Sequence, residues 1–220
     1  MPGPLLSSDQ GFTEGGLPNL DARPDSLPAA GAVRVVHIVR HGEAGDGAWP
    51  LPATAALSSV GQKQVRRAAS TLATRLDADV RIFSSDLLRC RQTAEVIAAA
   101  LQGEMVLDHR LRELDFGWDG LDGHEVLRRV GEERLARFLR DPARGDLPGA
   151  ERFSAFWARI RTAAADALQL ANSGQIVLVA HDGVNRVLAL LARGLGPDAW
   201  TDVAPWRHGE VRALPWLASV

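Results

Sequence analysis

The stretch VRVVHIVRHGE, residues 33–43, changes within eleven positions from an apolar run to a polar turn. Its first eight residues, VRVVHIVR, are mostly β-branched and are bounded by glycines, which predicts a buried β-strand. Arg40, His41 and Glu43 lie at the carboxyl end of this strand. Because open α/β sheets bind ligands beyond the carboxyl ends of their strands, we expect chemistry at this end.

Downstream of this strand, helical and extended patterns alternate. Strands that are apolar on both faces and alternate with helices predict an α/β fold, a three-layer α/β/α sandwich around a mostly parallel sheet. The region of about 114–150 is expected to form a helical lid insertion. Further strands are predicted at 79–85, 104–108, 175–180 and after 210, and helices at 58–76, 87–101 (capped by Asp86), 124–140, 151–171 and 181–195. The first helix is expected to bury Val60, Gln64, Ala68, Leu72 and Leu76.

The composition is that of an ordinary globular protein. Apolar residues make up 46% and charged residues 24% of 220 residues, and the net charge of −2 shows no nucleic-acid or polybasic membrane signature. Cys90 is the single cysteine, so neither an intrachain disulfide nor a cysteine metal cluster is expected. With no signal-peptide or membrane-spanning pattern, the expected location is cytoplasmic. Residues 1–31, rich in Gly and Pro, are predicted to be a disordered leader to one domain at 32–220.

The letters RHGE occur twice, at 40–43 and at 207–210. The first copy lies at the carboxyl end of a predicted strand. The segments that carry Arg89 and His181 each follow another predicted strand. The second copy follows Pro205, which argues against a central strand, and precedes the alternating segment EVRALPW. We therefore predict that the first copy is chemical and that the second is a surface turn without a chemical role.

Five segments occur in one order from about Val33 to the C-terminus: VRHGE, SSDLLRCRQTAE, LRELDFGWDG, LPGAERF and VLVAHDGVNRVL. Together they resemble the histidine phosphatase superfamily, the phosphoglycerate mutase-like group. The resemblance implies that His41 is the nucleophile and Glu113 the general acid. It also implies that Arg40, Arg89 and His181 bind the phosphoryl group.

The residue types suit this chemistry. A neutral imidazole can attack phosphorus and leave a phosphohistidine, and arginine matches two phosphate oxygens with its charged fork. A carboxylic acid can protonate the leaving oxygen if its surroundings raise its pKa. We expect a metal-independent phosphomonoesterase without a cofactor that acts on a small phosphate ester. Nucleic-acid or membrane partners are not expected, and a homodimer is compatible with the pattern.

The chain departs from the family pattern in several places. The short loop after His41 carries no basic residue, which favours a phosphatase over a mutase. Asp182 stands where the family generally has Gly, the acid segment is one residue shorter, and Ala150 replaces a Gly. Asp115 and Asp119 are close to Glu113 in the sequence and are alternative candidates for the general acid.

Two further functions are compatible with the same residues. One is a non-catalytic module that binds a phosphorylated ligand. The second is a metallohydrolase that uses His37, His41, His181 and Asp182 as ligands. The full set of nucleophile, two arginines, second histidine and acid argues against the non-catalytic module.

Overall fold

The computed structural model describes residues 33–45, 50–77, 79–118, 121–171 and 174–217. The predicted leader at 1–31 lies outside these residues. The strands are β1 (Val33–Arg40), β2 (Val80–Ser84), β3 (Glu104–Leu107), β4 (Gln175–Ala180) and β5 (Val211–Leu217). The helices are α1 (Ser59–Ala73), α2 (Leu88–Leu101), α3 (Gly123–Val130), α4 (Glu132–Arg140), α5 (Phe153–Leu170) and α6 (Asp182–Ala192), with 3₁₀ turns at His109–Leu111 and Pro197–Asp202.

The strands form one sheet in the order β3-β2-β4-β1-β5. All neighbours pair in parallel except β5, which runs antiparallel to β1. Helices cover both faces, so the predicted α/β class with a mostly parallel sheet is confirmed. The arrangement follows from β1 and β4, whose apolar residues point to both faces and need a layer of helices on each side.

The pairing brings several strand ends to one edge of the sheet. Arg40 at the end of β1 is level with Ala180 at the end of β4, and Ser84 at the end of β2 is level with Val179. The amino end of β5 meets the same edge, because in the antiparallel pair Val39 lies opposite Val211. Leu107 at the end of β3 is level with Ser84, so the edge collects four carboxyl ends and one amino end.

Two apolar clusters hold the layers together. On one face Ile38 and Leu178 of the sheet pack with Phe156 of α5 and Leu188 of α6. On the other face Val39, Val177 and Val179 pack with Leu72 of α1 and Ile97 of α2. Full burial of each large apolar side chain contributes about 1.5–3 kcal/mol. The clusters thus fix the strands from both sides and hold their ends in place.

Two expectations about helix starts need correction. In α1, Val60 is 47% exposed and so does not belong to the buried face of the helix. Val65, which the sequence analysis did not include, is buried there instead. Asp86 does not cap α2, since Leu87 is the capping residue and makes no side-chain cap bond. Asp86 instead accepts two hydrogen bonds from Arg112, at 2.7 and 2.5 Å. The ion pair joins the segment after β2 to the segment that precedes Glu113.

The single helix predicted at 124–140 is two helices, α3 and α4. They meet at Gly131, whose φ of 77° lies in the left-handed region that glycine adopts without strain. The helical period continues on both sides of this residue, so the pattern alone did not reveal the break. Both helices fall within the expected lid region of 114–150, and whether that region closes over the site stays a prediction.

Candidate active site

His41 and His181 follow β1 and β4 at the shared edge, with ring centroids 5.1 Å apart. Both side chains are buried, at 3% and 1% exposure. Arg40 and Arg89 lie close enough that their positive charges lower the pKa of both histidines. The structure therefore brings the four residues expected to handle a phosphoryl group into one cluster.

The His41 ring is held in one orientation. Its Nδ1 lies 2.7 Å from the carbonyl oxygen of Gly42, an acceptor only, so Nδ1 carries the hydrogen and Nε2 keeps a free lone pair. Burial, together with the positive charges of Arg89 and Arg40, holds the pKa of His41 well below its usual value. A neutral imidazole with an unprotonated Nε2 is the form that can act as a nucleophile.

Side chains from α2 and from the turn before it contact the His181 ring. Its Nε2 lies 3.0 Å from Ser85 Oγ and 3.3 Å from Cys90 Sγ. Burial lowers the pKa of His181, and the nearby His41 and Arg89 lower it further. Burial also raises the pKa of the Cys90 thiol, which keeps this sulfur protonated. His181 is thus neutral and can offer one ring N–H to an anion.

Both arginines have spare hydrogen-bond donors. Arg40 donates through one Nη to the carbonyl oxygen of Trp206, and Arg89 donates to that of Pro52 at 3.3 Å. Among the described residues, the buried Nε atom of each guanidinium has no hydrogen-bond partner. Burial without a carboxylate partner also lowers the pKa of Arg89. Such desolvated cations with free donors suit a bound anion.

Glu113 approaches this cluster from the segment after β3. Its two carboxyl oxygens accept hydrogen bonds from the backbone N–H groups of Leu114 (3.0 Å) and Gly183 (3.1 Å). Gly183 permits this approach, because a Cβ at that position would lie 2.4 Å from Glu113 Oε1. Burial raises the pKa of Glu113, and the negative charge of Asp182 adds to the increase. The carboxyl therefore keeps its proton to a higher pH than an ordinary glutamate does, as a general acid requires.

Asp182, the residue after the second histidine, does not face the four-residue cluster as an unpaired anion. It is the first residue of α6, and its Oδ1 accepts a hydrogen bond of 2.6 Å from the backbone N–H of Trp206. The capping residue of α6 is His181 and not Asp182. Its carboxylate ties the segment before β5 to the start of α6.

A cavity of about 110 Å³ opens beside Glu113. Asp182 and Arg186 are the other charged residues of its wall. The Arg186 guanidinium lies 3.9 Å over the Trp200 ring and donates to the Trp200 carbonyl oxygen at 2.8 Å. The rest of the wall is mainly carbon, from Leu114, Phe116, Phe138, Leu139, Pro142, Phe156 and Trp200. A group that leaves next to Glu113 would meet this apolar wall.

The second RHGE lies beside the first, and whether it has a chemical role stays a prediction. The His208 ring centroid lies 5.3 Å from that of His41. The backbone N–H of Gly209 donates to the carbonyl oxygens of both Arg40 (3.1 Å) and His41 (3.2 Å). The segment is a turn that enters the last strand, as expected. Because that strand is antiparallel, however, its amino end lies where the parallel strands end.

Three further residues with polar or ionisable side chains, His37, His124 and Glu43, lie outside the cluster. His37 is buried in β1 and His124 is exposed on α3. Glu43 accepts a hydrogen bond of 2.7 Å from Ser58, the cap of α1, and so orients the loop after His41. Within the described ranges, no group of three or more His, Cys, Asp or Glu side chains is placed to hold a metal ion. The same ranges contain no helix with the length and hydropathy of a membrane span.

Known proteins share this sequence pattern and fold. The family model described as "Histidine phosphatase superfamily (branch 1)" matches residues 36–216. The probable phosphoglycerate mutase GpmB of Enterobacter sp. (strain 638) is 33% identical over 198 residues, which cover 84% of this chain and 88% of that protein. A probable 2-carboxy-D-arabinitol-1-phosphatase of Arabidopsis thaliana is 33% identical over 117 residues, 53% of this chain but 24% of that longer protein.

Solved structures agree with the sequence comparison. A mycobacterial glucosyl-3-phosphoglycerate phosphatase in complex with VO3 superposes with a TM-score of 0.68 at 26% identity, covering 82% of this chain and 90% of that one. A structure described as mycobacterial hydrolase 2 superposes with a TM-score of 0.69 at 25% identity, covering 83% and 82%. The family model reaches into every strand of the sheet and includes every residue of the cluster from Arg40 to His208. The chain therefore belongs to the histidine phosphatase superfamily.

Proposed function

We propose that this phosphatase hydrolyses a phosphate monoester of a small molecule through a phosphohistidine on His41, without a metal ion. The observation that carries the proposal is the state of His41: Nδ1 is bound to the Gly42 carbonyl oxygen, and Nε2 is free. The ring lies beside His181 and within electrostatic range of two arginines.

In the first step, the lone pair of His41 Nε2 attacks phosphorus. A P–N bond forms, the P–O bond to the leaving group breaks, and that oxygen takes the proton of Glu113. Arg40, Arg89 and His181 surround the non-bridging oxygens, whose negative charge persists throughout the transfer. The raised pKa of Glu113 supports its part in this step, because the acid must be protonated when the substrate binds.

In the second step, the Glu113 carboxylate takes a proton from a water molecule, whose oxygen attacks phosphorus. The P–N bond breaks, its electron pair returns to His41 Nε2, and inorganic phosphate leaves. The protonated Glu113 and the neutral His41 are then restored for the next cycle. The low pKa of His41 supports this return to a neutral ring.

The cavity beside Glu113 supports a leaving group with an apolar or aromatic part. The group that takes the proton from Glu113 must extend away from phosphorus along this wall. Arg186 is the cation on the wall, and it already stacks on Trp200 and hydrogen-bonds its carbonyl oxygen. Nearby Asp182 and Asp141 further balance its charge. The cavity therefore offers more favourable contacts to a hydrocarbon ring in the leaving group than to a carboxylate.

Phosphoglycerate mutase activity is the second candidate, and it is favoured by the identity to GpmB proteins over most of the chain. A mutase has to hold a second anionic group of its substrate and protect the phosphoenzyme from water. The cavity does not favour the first requirement, because its cation, Arg186, is already engaged by Trp200 and balanced by acidic neighbours. Phosphatase and mutase share the chemistry at His41 and differ in what takes the phosphoryl group.

Activity on three substrates, with and without EDTA, tests the proposal. We expect p-nitrophenyl and phenyl phosphate to be hydrolysed, with a kcat/KM for phenyl phosphate at least about ten-fold above that for 3-phosphoglycerate, because burial of apolar carbon contributes about 0.8 kcal/mol per CH₂. EDTA should leave the rates unchanged. Conversion of 3- to 2-phosphoglycerate faster than phosphate release would instead establish the mutase, and loss of activity in EDTA would contradict the metal-free mechanism.

The pH dependence of phenyl phosphate hydrolysis tests the acid. Activity should fall as pH rises through the Glu113 pKa, because the phenolate needs its proton. Asp182→Asn removes the negative charge that raises this pKa and keeps an oxygen for the Trp206 N–H, so the alkaline limb of kcat/KM should move to lower pH. Asp115→Asn, at an exposed acid in the same segment, should leave the limb unmoved. Glu113→Gln should remove the limb, and a limb that persists there would contradict this assignment.

A further inference from the structure

We propose that His208 is a further phosphoryl-binding residue, which donates a ring N–H to a non-bridging oxygen of the phosphoryl group at His41. The inference rests on the proposed function, since that function places the phosphoryl group at His41 Nε2. It assigns a binding role to the C-terminal RHGE.

The first support is the position of the ring. Two imidazoles flank His41 at nearly equal centroid distances, His181 at 5.1 Å and His208 at 5.3 Å. His181 lies on the buried side, at 1% exposure, and His208 lies on the partly exposed side. A phosphoryl group on His41 projects beyond the ring by the length of its P–N and P–O bonds, which brings its oxygens within hydrogen-bond reach of a neighbouring imidazole. Both rings therefore lie next to a phosphoryl group that His41 carries.

The second support is that the backbone holds the His208 turn against the first RHGE. Gly209 donates its N–H to the carbonyl oxygens of Arg40 and His41, and the Arg40 N–H donates to the Glu210 carbonyl oxygen at 3.2 Å. Trp206, two residues earlier, is 1% exposed, and its backbone N–H donates a hydrogen bond to Asp182. The backbone that carries the ring is thus held in place by contacts within the protein, as a preorganised donor requires.

The third support is that the ring is unused. Among the described residues no hydrogen bond reaches either ring nitrogen of His208, although the side chain is partly buried. The charged groups that act on it are Arg40, Arg89, Glu43 and Asp182. Burial lowers the pKa of His208, and Arg40 lowers it further, so the ring is neutral and keeps one N–H to donate. A bound phosphate would supply the acceptor that this N–H lacks.

Isothermal titration with inorganic phosphate tests the role directly, because it needs no turnover. His208→Ala and the bulkier His208→Leu should both weaken phosphate binding by roughly ten- to a hundred-fold, the range for a lost hydrogen bond to a charged group. His208→Gln, which restores an N–H donor, should recover part of the affinity. The matched control is Arg207→Ala, an exposed position in the same turn, which should bind phosphate within about two-fold of the wild type.

The variants separate a binding role from a packing role. Wild-type affinity in folded His208→Leu, or an equal loss in His208→Gln and His208→Leu, would overturn the proposal. Failure of the wild-type protein to bind phosphate would overturn it together with the proposed function. If the wild type binds phosphate but does not hydrolyse esters, the order of affinities among the His208 variants still decides this inference. Only the proposed function would then fail.

Discussion

Replacing His41 with alanine is expected to lower kcat/KM for p-nitrophenyl phosphate by roughly four orders of magnitude or more, as when a covalent nucleophile is removed. The neighbouring His181 is not placed to replace it, since its Nε2 is bound to Ser85. The free energy of unfolding should change by about 1 kcal/mol or less, because His41 lies at a strand end and outside both apolar clusters. Steady-state kinetics and thermal melting measure the two effects.

The matched control for this change is His124→Ala, at an exposed histidine of α3. It should keep wild-type kinetics. Rapid quenching of the wild type with a labelled substrate, without acid, should trap a phosphate that is stable in alkali and labile in acid. The His41→Ala protein should carry no such label. A label on serine or aspartate in the wild type would show that the nucleophile is a different residue.

Arg89→Ala is expected to lower kcat by roughly 10²- to 10³-fold, the cost of one preorganised donor at a developing charge. The physical reason is its buried guanidinium, whose Nε lacks a hydrogen-bond partner among the described residues and is free for a phosphoryl oxygen. Arg89→Lys should recover little, because a point charge cannot reproduce the two-pronged contact. The loss should appear mainly in kcat, with phenyl phosphate as the substrate.

Arg91→Ala is the control for this second prediction. Arg91 lies on the exposed side of the same helix and pairs with Glu95 at 3.1 Å, so its loss should change kcat less than about two-fold. Because Arg89 is desolvated without a carboxylate partner, its removal should not lower the melting temperature. Near-wild-type kinetics of folded Arg89→Ala would refute the role given to this residue.

Local patterns were sufficient to find most of the framework. The mainly apolar runs at 33–40 and 175–180 are strands with the bounds that the sequence predicts, because a run of this length rich in β-branched residues is typical of a strand covered on both faces. The strand-end rule likewise predicts that His41, Arg89 and His181 meet at one edge of the sheet. That rule needs only that the strands be parallel, and for β1, β2 and β4 they are.

Some features depended on contacts that a local pattern does not contain. Asp86 has the chemistry of a helix cap, yet Arg112, 26 residues later, binds its carboxylate. Gly131 lies in a continuous helical period and still divides it, because its left-handed φ is available to glycine at little cost. In both cases the local sequence favours the predicted structure. A tertiary contact at Asp86 and a backbone angle at Gly131 produced a different one.

The two copies of RHGE show which features the sequence determines and which features depend on the tertiary structure. The sequence by itself determined that the first copy ends a buried strand, and with it the family and the place of the candidate nucleophile. Only the tertiary structure decided that β5 runs antiparallel beside β1, which the alternating letters of EVRALPW do not specify. The direction of a strand reverses which of its ends meets the site. An antiparallel strand presents its amino end there, and so the residues before β5 place His208 against His41.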